Sequence, residues 1–143
     1  MPGDAGELQQ RIVAFVRAFG LHRPDETPCG APVPVSEAHA LAVLAEHGPL
    51  PQSELCRHLG LTKSTVSRLV DQLDRRGWTQ RRPGDRDARQ RLVELTPDGR
   101  STAEAIATRR AERMRQLLER IPEADRTAVL AALDTLVEAS RET

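Results

Sequence analysis

The sequence contains no tyrosine, and its only aromatic rings besides histidine are Phe15, Phe19 and Trp78. A core for 143 residues must therefore be built from leucine, valine, isoleucine and alanine. The two cysteines, Cys29 and Cys56, are too few for a disulfide framework. No apolar run approaches the roughly 20 residues of a membrane-spanning helix. No basic-then-apolar leader precedes a cleavage site, so the expectation is a cytoplasmic, single-domain protein over residues 1–143. Internal repeats and low-complexity tracts are absent too. Net charge is also missing: 21 Lys and Arg balance 21 Asp and Glu. Spread evenly, that balance would speak against nucleic acid. It is not even. From Arg57 to Arg91 there are ten basic residues against four acidic ones, a local excess that matters more than the total.

The apolar pattern is helical over most of the chain. Leu8, Ile12, Phe15, Val16 and Phe19 form one stripe, which Gly20 is placed to end. Leu21 to Val35 holds four prolines and no period, and reads as a long loop. Ser36 is the expected N-cap of a second helix through His47, with Leu41, Leu44 and Ala45 inward. Gly48-Pro49 breaks it, and a short helix follows over Gln52 to Leu59. Thr62 is placed to cap a fourth helix to about Arg76, with Val66, Leu69, Val70 and Leu73 on one face. Trp78–Arg82 and Arg91–Leu95 read as strands of a hairpin with a polar tip, "PGDRDARQ". Thr96-Pro97 starts a long helix to about Arg120, and Pro122 begins a last one carrying Val129, Leu130, Leu133, Leu136 and Val137.

The expected class is mainly α: a winged helix-turn-helix with a two-stranded hairpin wing and dimerisation helices at both ends of the chain. The DNA-binding lobe is expected over 36–96, and the dimerisation helices and loop over 1–35 and 97–143. The polar face of the fourth helix suits a major groove. Ser64, Thr65 and Ser67 are short enough for the backbone to approach the DNA. Arg68 can fork onto a guanine or a phosphate, and Gln72 can pair with adenine. Lys63 lies at the helix start, where free N–H groups also attract phosphate. Gln52 and Ser53, opening the preceding short helix, complete the candidate set. The hairpin adds Arg81, Arg82, Arg86, Arg89 and Arg91; Arg86 and Arg89 are the candidates for a narrow minor groove. Asp87 between them is expected to be structural, paired to an arginine or accepting loop N–H bonds.

"SELCRHLGLTKSTVSRLVDQLDRRGW" followed by "DARQRLVELTPDGR" resembles the MarR family of bacterial regulators. The wing pattern is carried by Asp87, Arg89, Leu95, Thr96 and Gly99. The resemblance implies a homodimer whose first and last helices interlock. Each recognition helix would enter one major groove of a pseudo-palindromic duplex. The residues alone point the same way, because the two terminal apolar stripes have no partner within a small winged domain. Two-fold symmetry then sets half-sites about 10 bp apart. The function implied is a sequence-specific transcriptional regulator, a repressor released by a small ligand, with no cofactor and no catalysis.

Competing readings attach to few residues. Cys56 sits with Leu55 and Leu59 and reads as core. Cys29, in the proline-rich loop, is the candidate for thiol-based redox sensing. Relatives that sense oxidants place a thiol near the first helix with tyrosine beside it, and this chain has no tyrosine. His39 is the candidate for lining an effector pocket. The four histidines match no metal-ligand spacing, and none follows His58. An enzyme would need a nucleophile, base and orienter, and no such arrangement is evident. A winged-helix protein-interaction module would show an acidic or apolar face where this chain is arginine-rich.

Overall fold

The computed structural model describes residues 3–141. Helix α1 spans Ala5–Phe19, α2 Val35–His47, α3 Gln52–Leu59, α4 Lys63–Arg75, α5 Pro97–Arg120 and α6 Arg126–Arg141. Strands β1 (Leu50–Pro51), β2 (Thr79–Pro83) and β3 (Arg91–Leu95) form an antiparallel sheet in the order β1-β3-β2. The expected hairpin is present, pairing Thr79 with Leu95 and Pro83 with Arg91. It is not the whole sheet. The segment between α2 and α3 adds a third strand, pairing Leu50 with Val93. Two residues are too short for any periodicity to announce them.

Local chemistry explains the boundaries. Asp4 caps α1 by accepting the N–H of Glu7. Thr62 caps α4 by accepting that of Thr65, and Thr96 caps α5 with Pro97 in its first turn. Such caps contribute about 1 kcal/mol each. Helix α2 departs from expectation. It begins at Val35 after Pro34, with no side-chain cap, so Ser36 lies inside the helix. The last helix also starts later than Pro122: a 3-10 turn at Glu123–Asp125 comes first.

Helix α2 is the central element. It packs against α3, α4, α5 and β3. One side joins Leu41, Leu69, Leu73, Ala103 and Ile106; the other joins Val43, Leu44, Leu55, Val66, Val70 and Val93. No aromatic residue is fully buried, and the core is aliphatic as the composition leads one to expect. Ala45, expected inward, is exposed; it lies in the last turn of α2, one turn beyond Leu41. The proline-rich segment is more ordered than its composition suggests. The Thr27 N–H donates to the Ala31 carbonyl, and the Thr27 hydroxyl accepts the Ala31 N–H. Ala31 and Val33 thereby enter the core.

Helices α1 and α6 contribute no buried residue. Leu8, Ile12, Val13 and Phe15 on α1, and Leu130, Leu133, Leu136 and Val137 on α6, lie exposed. Among the described residues no helix is long and apolar enough to cross a membrane.

Candidate nucleic-acid interface

Helix α4 divides as its spacing predicts. Val66, Leu69, Val70 and Leu73 are buried, each contributing roughly 1.5–3 kcal/mol of burial. Lys63, Ser64 and Arg68 are exposed, and Thr65, Ser67 and Gln72 are half-exposed. The Thr62 hydroxyl donates to Oγ1 of Thr65 at 2.8 Å while accepting the Thr65 N–H, so the helix start is rigidly closed. Gln52, Lys63, Ser64 and Ser67 line one shallow groove with Thr62, where the starts of α3 and α4 meet. Ser53 is exposed beside that groove but does not line it. Arg68 and Gln72 lie further along α4.

The basic segment sorts itself into working parts. Arg81 reaches Asp71 at 3.1 Å and Asp74 at 3.5 Å, which bolts the wing to α4. The Thr79 hydroxyl also donates to Asp74, at 2.5 Å. Arg82 bridges Glu94 at 2.8 Å and Asp85 at 2.9 Å. Its guanidinium beside Asp85 holds that carboxyl below the usual range. Asp87 accepts the backbone N–H of Arg89 at 2.9 Å, and its carbonyl accepts that of Gln90 at 3.0 Å. Gly84 closes the same tip: a Cβ there would lie 2.7 Å from the Asp87 carbonyl oxygen.

All four acids between Arg57 and Arg91 are thus occupied internally. Of the ten cations, Arg57 is paired to Glu54, Arg76 to Glu37, and Arg81 and Arg82 as above. Among the described residues Lys63, Arg68, Arg75, Arg86, Arg89 and Arg91 have no acid partner within the chain. What faces outward is an uncompensated positive field on α4 and the wing.

The root of the wing is tied to α5. The Thr96 N–H donates to the Trp78 carbonyl at 3.0 Å. The Thr96 hydroxyl donates to the Gly77 carbonyl at 2.6 Å and accepts the Gly99 N–H at 3.0 Å. Gly99 is buried against Trp78, and a Cβ at that position would lie 1.8 Å from the Trp78 carbonyl oxygen.

A cavity of about 260 Å³ lies between α1, the Thr27–Cys29 turn, α2 and α5. Phe19, Leu21, Ala38, Ile106 and Met114 make its apolar wall; His39, Arg110 and Arg113 add the charge-bearing groups. Arg113 stacks over Phe19 at 5.5 Å. Cys29 lines this cavity too, half-buried, with its thiol 2.9 Å from the Thr27 hydroxyl. Within "TRRAERMR" nothing distinguishes Arg110 and Arg113 from solvated arginines. Elsewhere, the rings of His47 and His58 stack at 4.3 Å, joining the end of α2 to α3.

Residues 31–90 match the family model described as MarR family. The HTH-type transcriptional regulator YwoH of Bacillus subtilis is 32% identical over 93 residues, 65% of this chain and 67% of YwoH. The multiple antibiotic resistance protein MarR of Salmonella typhimurium is 35% identical over 80 residues, 56% of each chain. The fold extends further than these alignments. A probable transcriptional regulator from Pseudomonas aeruginosa superposes with a TM-score of 0.73 at 28% identity, covering 94% of this chain and 97% of its own. Streptococcus pneumoniae FabT in complex with DNA gives a TM-score of 0.79 at 17% identity, covering 97% and 99%. Bordetella bronchiseptica BpsR, whose DNA binding is regulated by 6-hydroxynicotinic acid, gives 0.71 at 21%, covering 94% of each. The chain belongs to the MarR family of winged helix-turn-helix transcriptional regulators.

Proposed function

We propose that the protein is a cytoplasmic, homodimeric repressor that reads a pseudo-palindromic DNA duplex and is released by a small amphipathic organic acid. The observation that carries the DNA reading is the sorting of charges. Three of the four acids in the basic segment are paired to arginines inside the chain and Asp87 is held by a backbone N–H, while six cations and the short polar side chains of α4 face outward. Lys63, Arg86, Arg89 and Arg91 fit phosphates and a narrow minor groove; Ser64, Ser67, Arg68 and Gln72 fit base edges, with Gln52, Ser53 and Thr65 flanking them. FabT, of the same fold, is seen with DNA.

Binding is measured against duplex DNA at several salt concentrations. Arg89→Ala is expected to reduce the salt slope by roughly one ion, since it removes one phosphate contact. Arg68→Ala is expected to weaken specific binding by about 1–3 kcal/mol. Unchanged binding in both variants would overturn this interface.

The effector reading rests on the cavity. Its size suits a molecule of about one ring, and its lining joins an apolar wall to His39, Arg110 and Arg113. That combination fits an apolar body carrying a carboxylate. BpsR, regulated by 6-hydroxynicotinic acid, shares the fold. The cavity wall includes α2, which also packs against α4, so a ligand that favours one α2 position shifts DNA affinity. Screened against small aromatic and aliphatic acids, the wild-type DNA complex is expected to dissociate with at least one. Arg113→Ala is expected to abolish that response while leaving DNA affinity without acid unchanged. Release by the same acid in Arg113→Ala would remove this residue from the site.

A further inference from the structure

Three polar or charged residues are buried among the described ones: Thr27, Thr79 and Glu37. Glu37 is the ionisable one. It lies in the first turn of α2, where an acid ordinarily faces water and interacts with the helix N-terminus. Here its side chain is only 4% exposed, and both carboxylate oxygens are taken by Arg76. Nε donates at 2.6 Å and Nη2 at 3.2 Å, across 39 positions of sequence. Arg76 is the residue on which α4 ends. Its guanidinium also stacks over Trp78 at 5.0 Å, the root of the wing. Such a pair, with the carboxylate buried and the guanidinium half-exposed, is a weak source of net stability, because Glu37 loses its water; the planar, two-bond geometry fixes orientation.

Resting on the DNA reading above, we propose that Glu37 is a positioning residue for sequence discrimination. Through Arg76 it sets the pitch of α4 and the wing root relative to α2. The geometry gives this contact leverage. Helix α4 has 13 residues and is therefore about 20 Å long, with Glu37 holding one end, Ser64 near the other, and Ser67 and Arg68 about 12–14 Å from the held end. A tilt of about 5° at the held end displaces Ser67 and Arg68 by about 1 Å and Ser64 by about 1.6 Å. Base-edge hydrogen bonds do not survive such a displacement, since they require donor and acceptor near 2.9 Å. Long arginines on phosphates follow it. Losing the pair should therefore erode discrimination between sequences and spare sequence-independent binding.

The test uses a duplex selected from a random pool by the wild-type protein, and a scrambled duplex of equal length. Dissociation constants for both are measured for wild type, Glu37→Gln, Arg76→Lys and the double variant, at temperatures where circular dichroism shows each folded. Glu37→Gln is expected to lower the selected-to-scrambled ratio by about ten-fold, a typical size for coupling between sites. Scrambled-duplex affinity stays within about two-fold on the same reasoning. Arg76→Lys, which keeps the charge but loses the fork, lowers the ratio as well. The double variant loses no more than Glu37→Gln alone, because the interaction is already gone. Val43→Ala, which thins the core on the other side of α2 without touching the pair, keeps the wild-type ratio. If Glu37→Gln does not fold, Arg76→Lys decides. An unchanged ratio in the single variants, or additive losses in the double, overturns the inference and leaves the DNA reading standing. A wild type that selects no sequence overturns the DNA reading, and this inference with it.

Discussion

Gly99→Ala is expected to lower the melting midpoint by about 10 °C, the equivalent of roughly 3 kcal/mol for a chain of this size. One methyl group has this effect because of what it meets. The added Cβ would stand 1.8 Å from the Trp78 carbonyl oxygen, 2.7 Å from its carbon and 3.0 Å from its Cα. All three are backbone atoms, so no rotamer change relieves the clash. Ordinary overpacking costs about 1–3 kcal/mol when side chains can give way; here the wing root or the first turn of α5 must move. That same carbonyl accepts the Thr96 N–H, and Thr96 caps α5 through Gly99 itself. The clash and the loss of the cap therefore act together. A thermal melt followed by circular dichroism checks the stability. Duplex affinity should fall in parallel even well below the midpoint, because the wing is displaced. A midpoint within about 2 °C of wild type would mean the junction is looser than these distances allow.

The Gly99 junction also shows why some of the molecule was legible in its sequence. Thr62, Thr96 and Pro97 act on neighbours three or four residues away, so the cap and the start it specifies are written side by side. The face of α4 formed by Val66, Leu69, Val70 and Leu73 is likewise local, set by 3.6-residue periodicity. The failures are non-local. Glu37 has the sequence signature of a surface acid in a first helical turn; its burial is decided by Arg76, 39 positions on. Ala31 and Val33 sit in a run of prolines without period, and only the exchange between Thr27 and Ala31 turns them inward. Strand β1 exists because β3 offers it an edge. At the interface, composition exposed a basic segment. It did not reveal that Arg81 and Arg82 hold the wing in place while Arg86 and Arg89 stay unpaired. Charge type is written in one dimension, and charge pairing is not.

The second large effect is expected at the ends of the chain. Leu133→Glu should dissociate the proposed homodimer and weaken binding to a two-half-site duplex by roughly 10²–10⁴-fold. Leu133 is 45% exposed on α6, between Leu130 at 59% and Val137 at 51%. On α1, Leu8, Ile12 and Phe15 form a second stripe, 42–49% exposed. Contiguous apolar stripes of this length on two helices mark an association surface. A two-fold axis places any substitution in the interface twice, so one glutamate buries two uncompensated charges, each costing about 3–5 kcal/mol. The duplex effect follows from linkage. With the subunits joined, the second half-site is bound at a high effective concentration; once they part, each binds alone. Sedimentation velocity reads the mass, and circular dichroism shows whether the separated subunit keeps its helices. Leu130→Ala, a milder change on the same stripe, carries the test if Leu133→Glu does not fold. The informative control is a duplex bearing one half-site. Its affinity should change by less than about two-fold, because α4 and the wing are untouched. A glutamate variant that remains dimeric would remove α6 from the interface. One that dissociates yet holds the full duplex as tightly as wild type would show that the two recognition helices do not act as a linked pair.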